Sequence, residues 1–348
     1  MMFTRDIGID LGTATTITCL RTKGVISREP TVVAMDRESG RLLKVGMAAQ
    51  RMLGRTPGSI AALRPLRAGV ISDFEMTEQL LKETVRKLTS LSLIKPRLLI
   101  TVPACITEVE ERAVIDAGLR AGARKVYLME SSLAAAMGAG LDISGPQGNM
   151  VVDIGGGTTE VAVVSLGDVV ESESVKVAGD TFNDALIQYI RRKHNVLIGE
   201  MTAEELKKSI GCVKERPEVG YEEVKGRCLM TGLPRNVTIN SDEMVEALAE
   251  PTEIILETVH MVLERTPPEL VGDISENGVV LSGGGSLLYG MDRLVSERTG
   301  IPAHVVDDAL SCTAYGAGRM LSRLDGMKEG MQNYARTKLL RKNADGRA

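Results

Sequence analysis

The sequence predicts an α/β protein whose two related halves face each other across a cleft. Three observations predict it. Apolar strand-like runs alternate with helical stretches through residues 98–140, the pattern of βαβ units and of a sheet covered on both faces. Two distant segments, IGIDLGTATT (7–16) and VVDIGGGTTE (151–160), repeat one design: an apolar strand, an aspartate at its end, a glycine turn with threonine, and a second strand. The core has to be aliphatic, because the 348 residues include no Trp, 3 Phe and 6 Tyr. Parallel strands buried on both faces are built from such Val, Ile, Leu and Ala.

The elements follow in order. IGID (7–10), TITCL (16–20), ISREPTVVAM (26–35) and RLLKVG (41–46) read as strands with turns between them. Met76, Leu80, Val85 and Leu88 give a helical stripe over 75–92. LLITVP (98–103) is a short buried strand. The next helix, 107–122, opens on a capping box from Thr107 to Glu110 and ends at glycine. VYLM (126–129) is again a buried strand, and SSLAAAMGAG (131–140) a small-residue helix. A strand pair returns at 150–166, and helices follow near 180–193 and 202–210. Loop and strand fill 211–240, and a long helix at 241–265 stops before Pro267-Pro268. GVVLSGGGSLL (278–288) reads as strand, glycine turn and helix, and a last helix lies near 311–324. The tail from 330, with Arg336, Lys338, Arg341, Lys342 and Arg347, reads as a solvated basic segment.

Charge and cysteine usage exclude several classes. The net charge is −4, so no global basic field points to nucleic acid. Apolar runs fall short of the ~18 residues that span a bilayer, and MMFTRDIG does not read as a signal peptide. Cys19, Cys105, Cys212, Cys228 and Cys312 form no close pairs, which reads as reduced thiols in cytoplasm.

The repeated hairpins suit a nucleoside triphosphate. Glycine lets backbone N–H groups approach phosphate oxygens closely, and Thr13 and Thr158 add hydroxyls at the turns. Asp10 and Asp153, one from each hairpin, can hold Mg²⁺ through its waters, since that ion takes only one or two carboxylates. Either hairpin alone is an ordinary tight turn; two copies in two halves form a site. A third cluster, Gly283-Gly284-Gly285-Ser286, fits as a wall against nucleoside and ribose. The run Glu204-Glu205-Leu206-Lys207-Lys208 by itself reads only as a solvated helix face.

Two such hairpins plus a late glycine turn resemble the superfamily of actin, sugar kinases and heat-shock ATPases. EPTVVAM (29–35), RMLGRTPGSIAALRPLRAGVISDF (51–74), VDIGGGTTEVAVVSLG (152–167), TGLPR (231–235), RTPPEL (265–270) and VVLSGGGSLL (279–288) resemble the MreB family of bacterial actin homologues. The resemblance runs from about residue 5 to 324. It implies an actin-like fold of two duplicated ribonuclease-H-like domains around an ATP cleft. The boundaries would be 1–145 and 146–324, with small subdomains near 33–73 and 182–245 and a basic tail at 325–348.

Carried onto this chain, the resemblance puts Gly12, Thr13, Ala14 and Thr15 in the first phosphate loop and Gly155, Gly156, Gly157 and Thr158 in the second. Asp10 and Asp153 would hold Mg²⁺. Glu204 and Lys207, with Glu205 and Leu206 between them, would reach the nucleoside, and Gly283, Gly284, Gly285 and Ser286 the adenosine. The chain departs from the family at Thr15, where the family has Asn, and at Ser131-Ser132, where it has Glu-Pro. The missing glutamate orients the attacking water, so the catalytic set becomes Ser131, Thr158 and Glu130, the last only if the strand end turns by one residue. Hydrolysis is then expected to be slow.

The family implies ATP-bound subunits assembling head-to-tail, as paired protofilaments, beneath the cytoplasmic membrane to organise wall synthesis, with RodZ and MreC as partners. Leu93 and Ile94 match its exposed apolar pair for lipid, although both could equally pack beneath their loop. A paralogue that binds ATP without turnover is the alternative. A small-molecule kinase lacks a second aspartate base here, and 348 residues leave no peptide-binding domain for a chaperone.

Overall fold

A computed structural model describes residues 6–89, 94–326 and 330–331 of the chain. Its two main sheets repeat one topology. In the first, strands Gly24–Pro30, Thr15–Leu20 and Asp6–Leu11 form an antiparallel meander that continues into parallel strands Arg97–Val102, Lys125–Glu130 and the short Gly330–Met331. In the second, Asp168–Val175, Thr159–Ser165 and Asn149–Ile154 form the meander, and Val279–Ser282 and Ala303–Val305 the parallel continuation. The fold is α/β with one topology present in both halves, as the repeated hairpins predict.

Strand alternation distributes the core. In Arg97–Val102, Leu98 and Ile100 face one way, into a cluster with Leu80, Leu81 and Val114 of helices Phe74–Thr89 and Glu108–Arg120. Leu99 faces the other way, into a cluster shared by both halves with Val151, Ala134 and Ala317. Met150, Val152 and Ile154 point into the second half's own core, closed by helices Gly179–His194 and Ser241–Arg265. Helix Ser131–Gly138, which leads out of the first sheet, packs directly on Cys312–Met320, which returns from the second.

The expected capping box at Thr107 is present, with Thr107 Oγ1 accepting from the Glu110 N–H at 3.3 Å. The single strand expected over 26–35 is instead two, in different sheets, separated at Thr31-Val32. The break has a local cause: the Thr31 N–H bonds to Ala14 O (2.9 Å), and its hydroxyl donates to Gly12 O (2.8 Å). The chain is thus pinned to the first glycine turn before it enters the small sheet Val33–Asp36, Leu42–Val45 and Ile60–Leu63. A second small sheet joins Val196–Leu197 to hairpin Tyr221–Cys228 and Pro234–Asn240. After Gly283 comes only a short 3₁₀ turn, Gly284–Leu287, and the helix expected there begins later, at Met291. Helix Pro268–Asn277 was not anticipated, although proline at its first turn is a starting signal.

Candidate functional site

The two hairpin tips close identically. Gly12 N–H bonds to Thr15 O at 3.2 Å, and Gly155 N–H to Thr158 O at 2.9 Å. They meet face to face. A Cβ at Gly156 would stand 2.6 Å from Ala14 Cβ, and one at Gly157 2.8 Å from Thr13 Cβ, closer than side chains approach. Thr13 Oγ1 also accepts from Gly69 N–H at 2.9 Å, so the hairpin Leu66–Arg67 and Val70–Ile71 leans on the same tips.

Behind the tips the two aspartates line one cavity of about 580 Å³, within the size range of ligand sites. Asp10 accepts from the Thr101 hydroxyl (2.7 Å), and Asp153 from those of Ser282 (2.8 Å) and Thr313 (3.0 Å). Burial pushes Asp10 up to about 7, and the Asp153 charge adds to the rise. Asp153 is raised by burial too. Each carboxylate keeps lone pairs beyond those its hydroxyl partners use. Two buried carboxylates that resist sharing negative charge, with acceptor capacity to spare, are a donor set suited to a hard divalent cation.

Helix Glu200–Ile210 supplies the cavity's charged wall. Glu204 binds Lys207 (2.7 Å), Lys208 (2.9 Å) and the Asn183 amide (3.0 Å). Burial works against its charge, but the two lysines hold its carboxyl down at about 2. Helical period decides which neighbours join it: Glu204, Lys207 and Lys208 share a face, whereas Leu206 is 1% exposed in the core and Glu205 points outward. Neither Glu205 nor Leu206 lines the cavity, which corrects their assignment to the nucleoside. Gly283, Gly284 and Gly285 line it, but Ser286 does not; its hydroxyl is spent on Gly283 O at 2.7 Å. At Gly283 (φ +80°) a Cβ would sit 2.6 Å from the Ile154 carbonyl carbon, so glycine is needed where this turn crosses the second hairpin.

Ser131 is the first residue of its helix and lines the cavity. Glu130 does not. It ends the strand, 3% exposed, with neither carboxylate oxygen hydrogen-bonded. Burial, then the charges of Glu160 and Asp168, push it up to about 8. The strand end makes no extra turn, so Glu130 does not take the place that Ser131 occupies. Leu93 and the tail beyond 331 lie outside the described residues, while Ile94 is half-buried.

The family model of the MreB/Mbl protein family matches residues 4–329. The chain belongs to that family. It is 49% identical over 327 residues to the cell shape-determining protein Mbl of Bacillus subtilis, covering 93% of this chain and 98% of that protein. Against the cell shape-determining protein MreB of Escherichia coli it is 49% identical over 330 residues, covering 93% and 95%. Crystal structures of MreB5 of Spiroplasma citri superpose with TM-scores of 0.88 (bound to ADP) and 0.87 (bound to AMPPNP). Identity to them is 36% and 35%, with coverage of 92% and 94% of this chain and 97% and 98% of theirs. The MamK double helical filament shares the fold at TM-score 0.79 and 21% identity, covering 94% of this chain and all of that one.

Several residues of this MreB/Mbl chain that line the cavity or bond to its aspartates carried no signal in the sequence. Arg64 spans the cleft mouth to Asp180 (2.8 Å) and Glu200 (2.6 Å). Arg216 reaches the wall from a loop, stacked on Tyr289. Thr101, Ser282 and Thr313 come from three separate elements, and only folding brings them to the aspartates.

Proposed function

We propose that this chain binds Mg²⁺-ATP in the cleft and assembles with itself into membrane-associated filaments that direct cell shape. The observation that carries the reading is the pair of facing hairpin tips with Asp10 and Asp153 on one cavity wall. Gly12 to Thr15 and Gly155 to Thr158 would cradle the phosphates with backbone N–H groups and threonine hydroxyls. Asp10 and Asp153 would hold Mg²⁺, which when bound neutralises phosphate charge. Glu204 and Lys207 would face the nucleoside, against Gly283 to Gly285. The nucleotides named for the Spiroplasma citri relative, and the shape-determining role named for Mbl and MreB, support this reading.

Ser131 limits turnover in this reading. A serine hydroxyl holds a water but is a poor base at neutral pH. Glutamate at this first helical position would face the cavity and also suit the helix N-terminus. Ser131→Glu is therefore expected to raise single-turnover phosphate release by ~10²-fold. A wild-type rate already equal to that of relatives keeping the glutamate would overturn this. The same placement favours, as a second reading, a filament partner that binds ATP with almost no turnover. Phosphate release measured beside sedimentation, with and without ATP, separates the two.

Among the described residues no helix is long and apolar enough to cross a membrane. Lipid contact is assigned to Leu93 and Ile94, whose burial in lipid is worth ~1.5–3 kcal/mol each. That is too little for a monomer, but repetition along a filament multiplies it. Basic tail residues would add ~1 kcal/mol apiece near an anionic surface. Polymers are expected to pellet with anionic liposomes and monomers hardly at all. If Leu93→Ser with Ile94→Ser, and separately deletion of 332–348, leave pelleting unchanged while filaments form, both anchors are wrong.

A further inference from the structure

One end of the cleft carries a cation that neither hairpin accounts for. Hydrogen bonds run in order from the second hairpin tip to Arg216. Gly179 N–H donates to Gly155 O (3.0 Å), Lys207 Nζ to Gly179 O (2.8 Å), Gly211 N–H to Lys207 O (3.0 Å), and Arg216 Nη2 to Gly211 O (3.0 Å). Lys207 and Gly211 are about one helical turn apart, so Arg216 sits on the cavity wall beyond Lys207, away from the tips. Its guanidinium carbon stands 5.1 Å from the centroid of the Tyr289 ring, which Arg293 also approaches at 5.5 Å. Stacking and the Gly211 bond fix the plane of the Arg216 fork before any ligand arrives. A guanidinium has N–H donors and no acceptor. Here Gly211 O takes one donor, and Nε has no acceptor among the described residues. Arg216 therefore offers this end of the cavity hydrogen-bond donors only.

We propose that Arg216 reads the purine base and lets this cleft take guanine nucleotides as well as adenine ones. The inference rests on the nucleotide reading above. With phosphates at the hairpin tips and the sugar beside Glu204 and Lys207, the base extends toward Gly211 and Arg216. Its sugar-bearing edge points back toward the tips, so the leading edge is the one that carries position 6. Guanine has a carbonyl oxygen there, with the N7 acceptor beside it, whereas adenine has an amino group. A donor fork pairs with the two guanine acceptors but sets its N–H groups against the adenine amino group. Neither lysine of the wall competes for this edge. Lys207 is bonded to Glu204 (2.7 Å) and to Gly179 O, and Lys208 to Glu204 (2.9 Å). Because the Arg216 fork is already held on Tyr289, it loses little freedom when it pairs with a base.

The test is competition against fluorescent ATP on the full chain with Mg²⁺, using unlabelled ATP, GTP and ITP. ITP keeps the O6 and N7 acceptors of guanine without its 2-amino group, so it isolates the edge assigned to Arg216. The wild type is expected to bind GTP and ITP at least as tightly as ATP. In Arg216→Gln the affinity for GTP and ITP should fall ~10-fold more than that for ATP, within the range for losing one bidentate pair. Arg216→Lys keeps the charge without the fork and should lose the same preference. It also decides the matter if thermal melting shows that the glutamine variant does not fold. An unchanged GTP-to-ATP ratio in the variants overturns the proposal and marks Arg216 as a general support of the wall. So does ITP that follows ATP rather than GTP, and so does a wild type that binds ATP but not GTP. A wild type that binds none of the three overturns the nucleotide reading itself, and this proposal with it.

Discussion

Gly156→Val is expected to abolish nucleotide binding, a loss of at least ~100-fold in affinity, equal to about 2.7 kcal/mol. The argument does not depend on a phosphate touching this residue. A Cβ at 156 already stands 2.6 Å from Ala14 Cβ and 3.1 Å from the Ala14 nitrogen, and valine adds two methyls to it. Neither neighbour is the loose end of a flexible side chain. The two tips must therefore move apart, and each holds half of the proposed phosphate cradle. A misplacement of about 1 Å is enough to cost ~10²-fold in such sites. Gly58→Val is the matched control: a Cβ there meets nothing within 4 Å, so binding should be unchanged. Titration of both variants with fluorescent ATP decides the matter, and wild-type affinity in Gly156→Val would show that the second loop is misassigned.

Glycines such as Gly156 were legible because their function leaves a local trace. Asp10 and Asp153 each end an apolar strand and precede a tight turn, and the same pattern occurs twice in one chain. Residues that act through distant contacts leave none. Nothing near Thr313 announces that it bonds to Asp153, 160 positions away in sequence. Strand continuity also misleads: residues 26–35 read as one strand despite Pro30, yet two hydrogen bonds at Thr31 divide them between sheets. At 204–208 the composition was right and the grouping wrong, since one helical step turns Leu206 into the core and Lys207 toward the cavity. Glu160 reads as one more polar residue in an alternating strand until Ala104 is seen donating to it from the other half.

The most damaging small substitution lies away from the cavity. Gly316→Ala is expected to destabilise the fold by ~3 kcal/mol or more, the upper part of the range for overpacking a core. Helices Ser131–Gly138 and Cys312–Met320 cross where the chain passes between its halves, and they touch backbone to backbone. A Cβ at Gly316 would overlap the Ala134 carbonyl, 2.6 Å from its carbon, and one at Gly138 would overlap the Cys312 carbonyl at the same distance from its carbon. Cys312 Sγ also donates to Ala135 O at 3.2 Å, so the crossing is held at close range from both helices. Relief requires the helices to separate, and that would open the cluster in which Val151 of one sheet meets Leu99 of the other. Because Gly138 and Gly316 resist the same movement, their alanine variants should combine less than additively. Gly272→Ala gives the comparison with opposite sign. It sits inside helix Pro268–Asn277 with nothing within 4 Å of its would-be Cβ, so the better helix former should stabilise by ~1 kcal/mol. Chemical denaturation of the three variants measures both signs at once. Wild-type stability in Gly316→Ala would mean that the halves are not joined by backbone contact at this crossing.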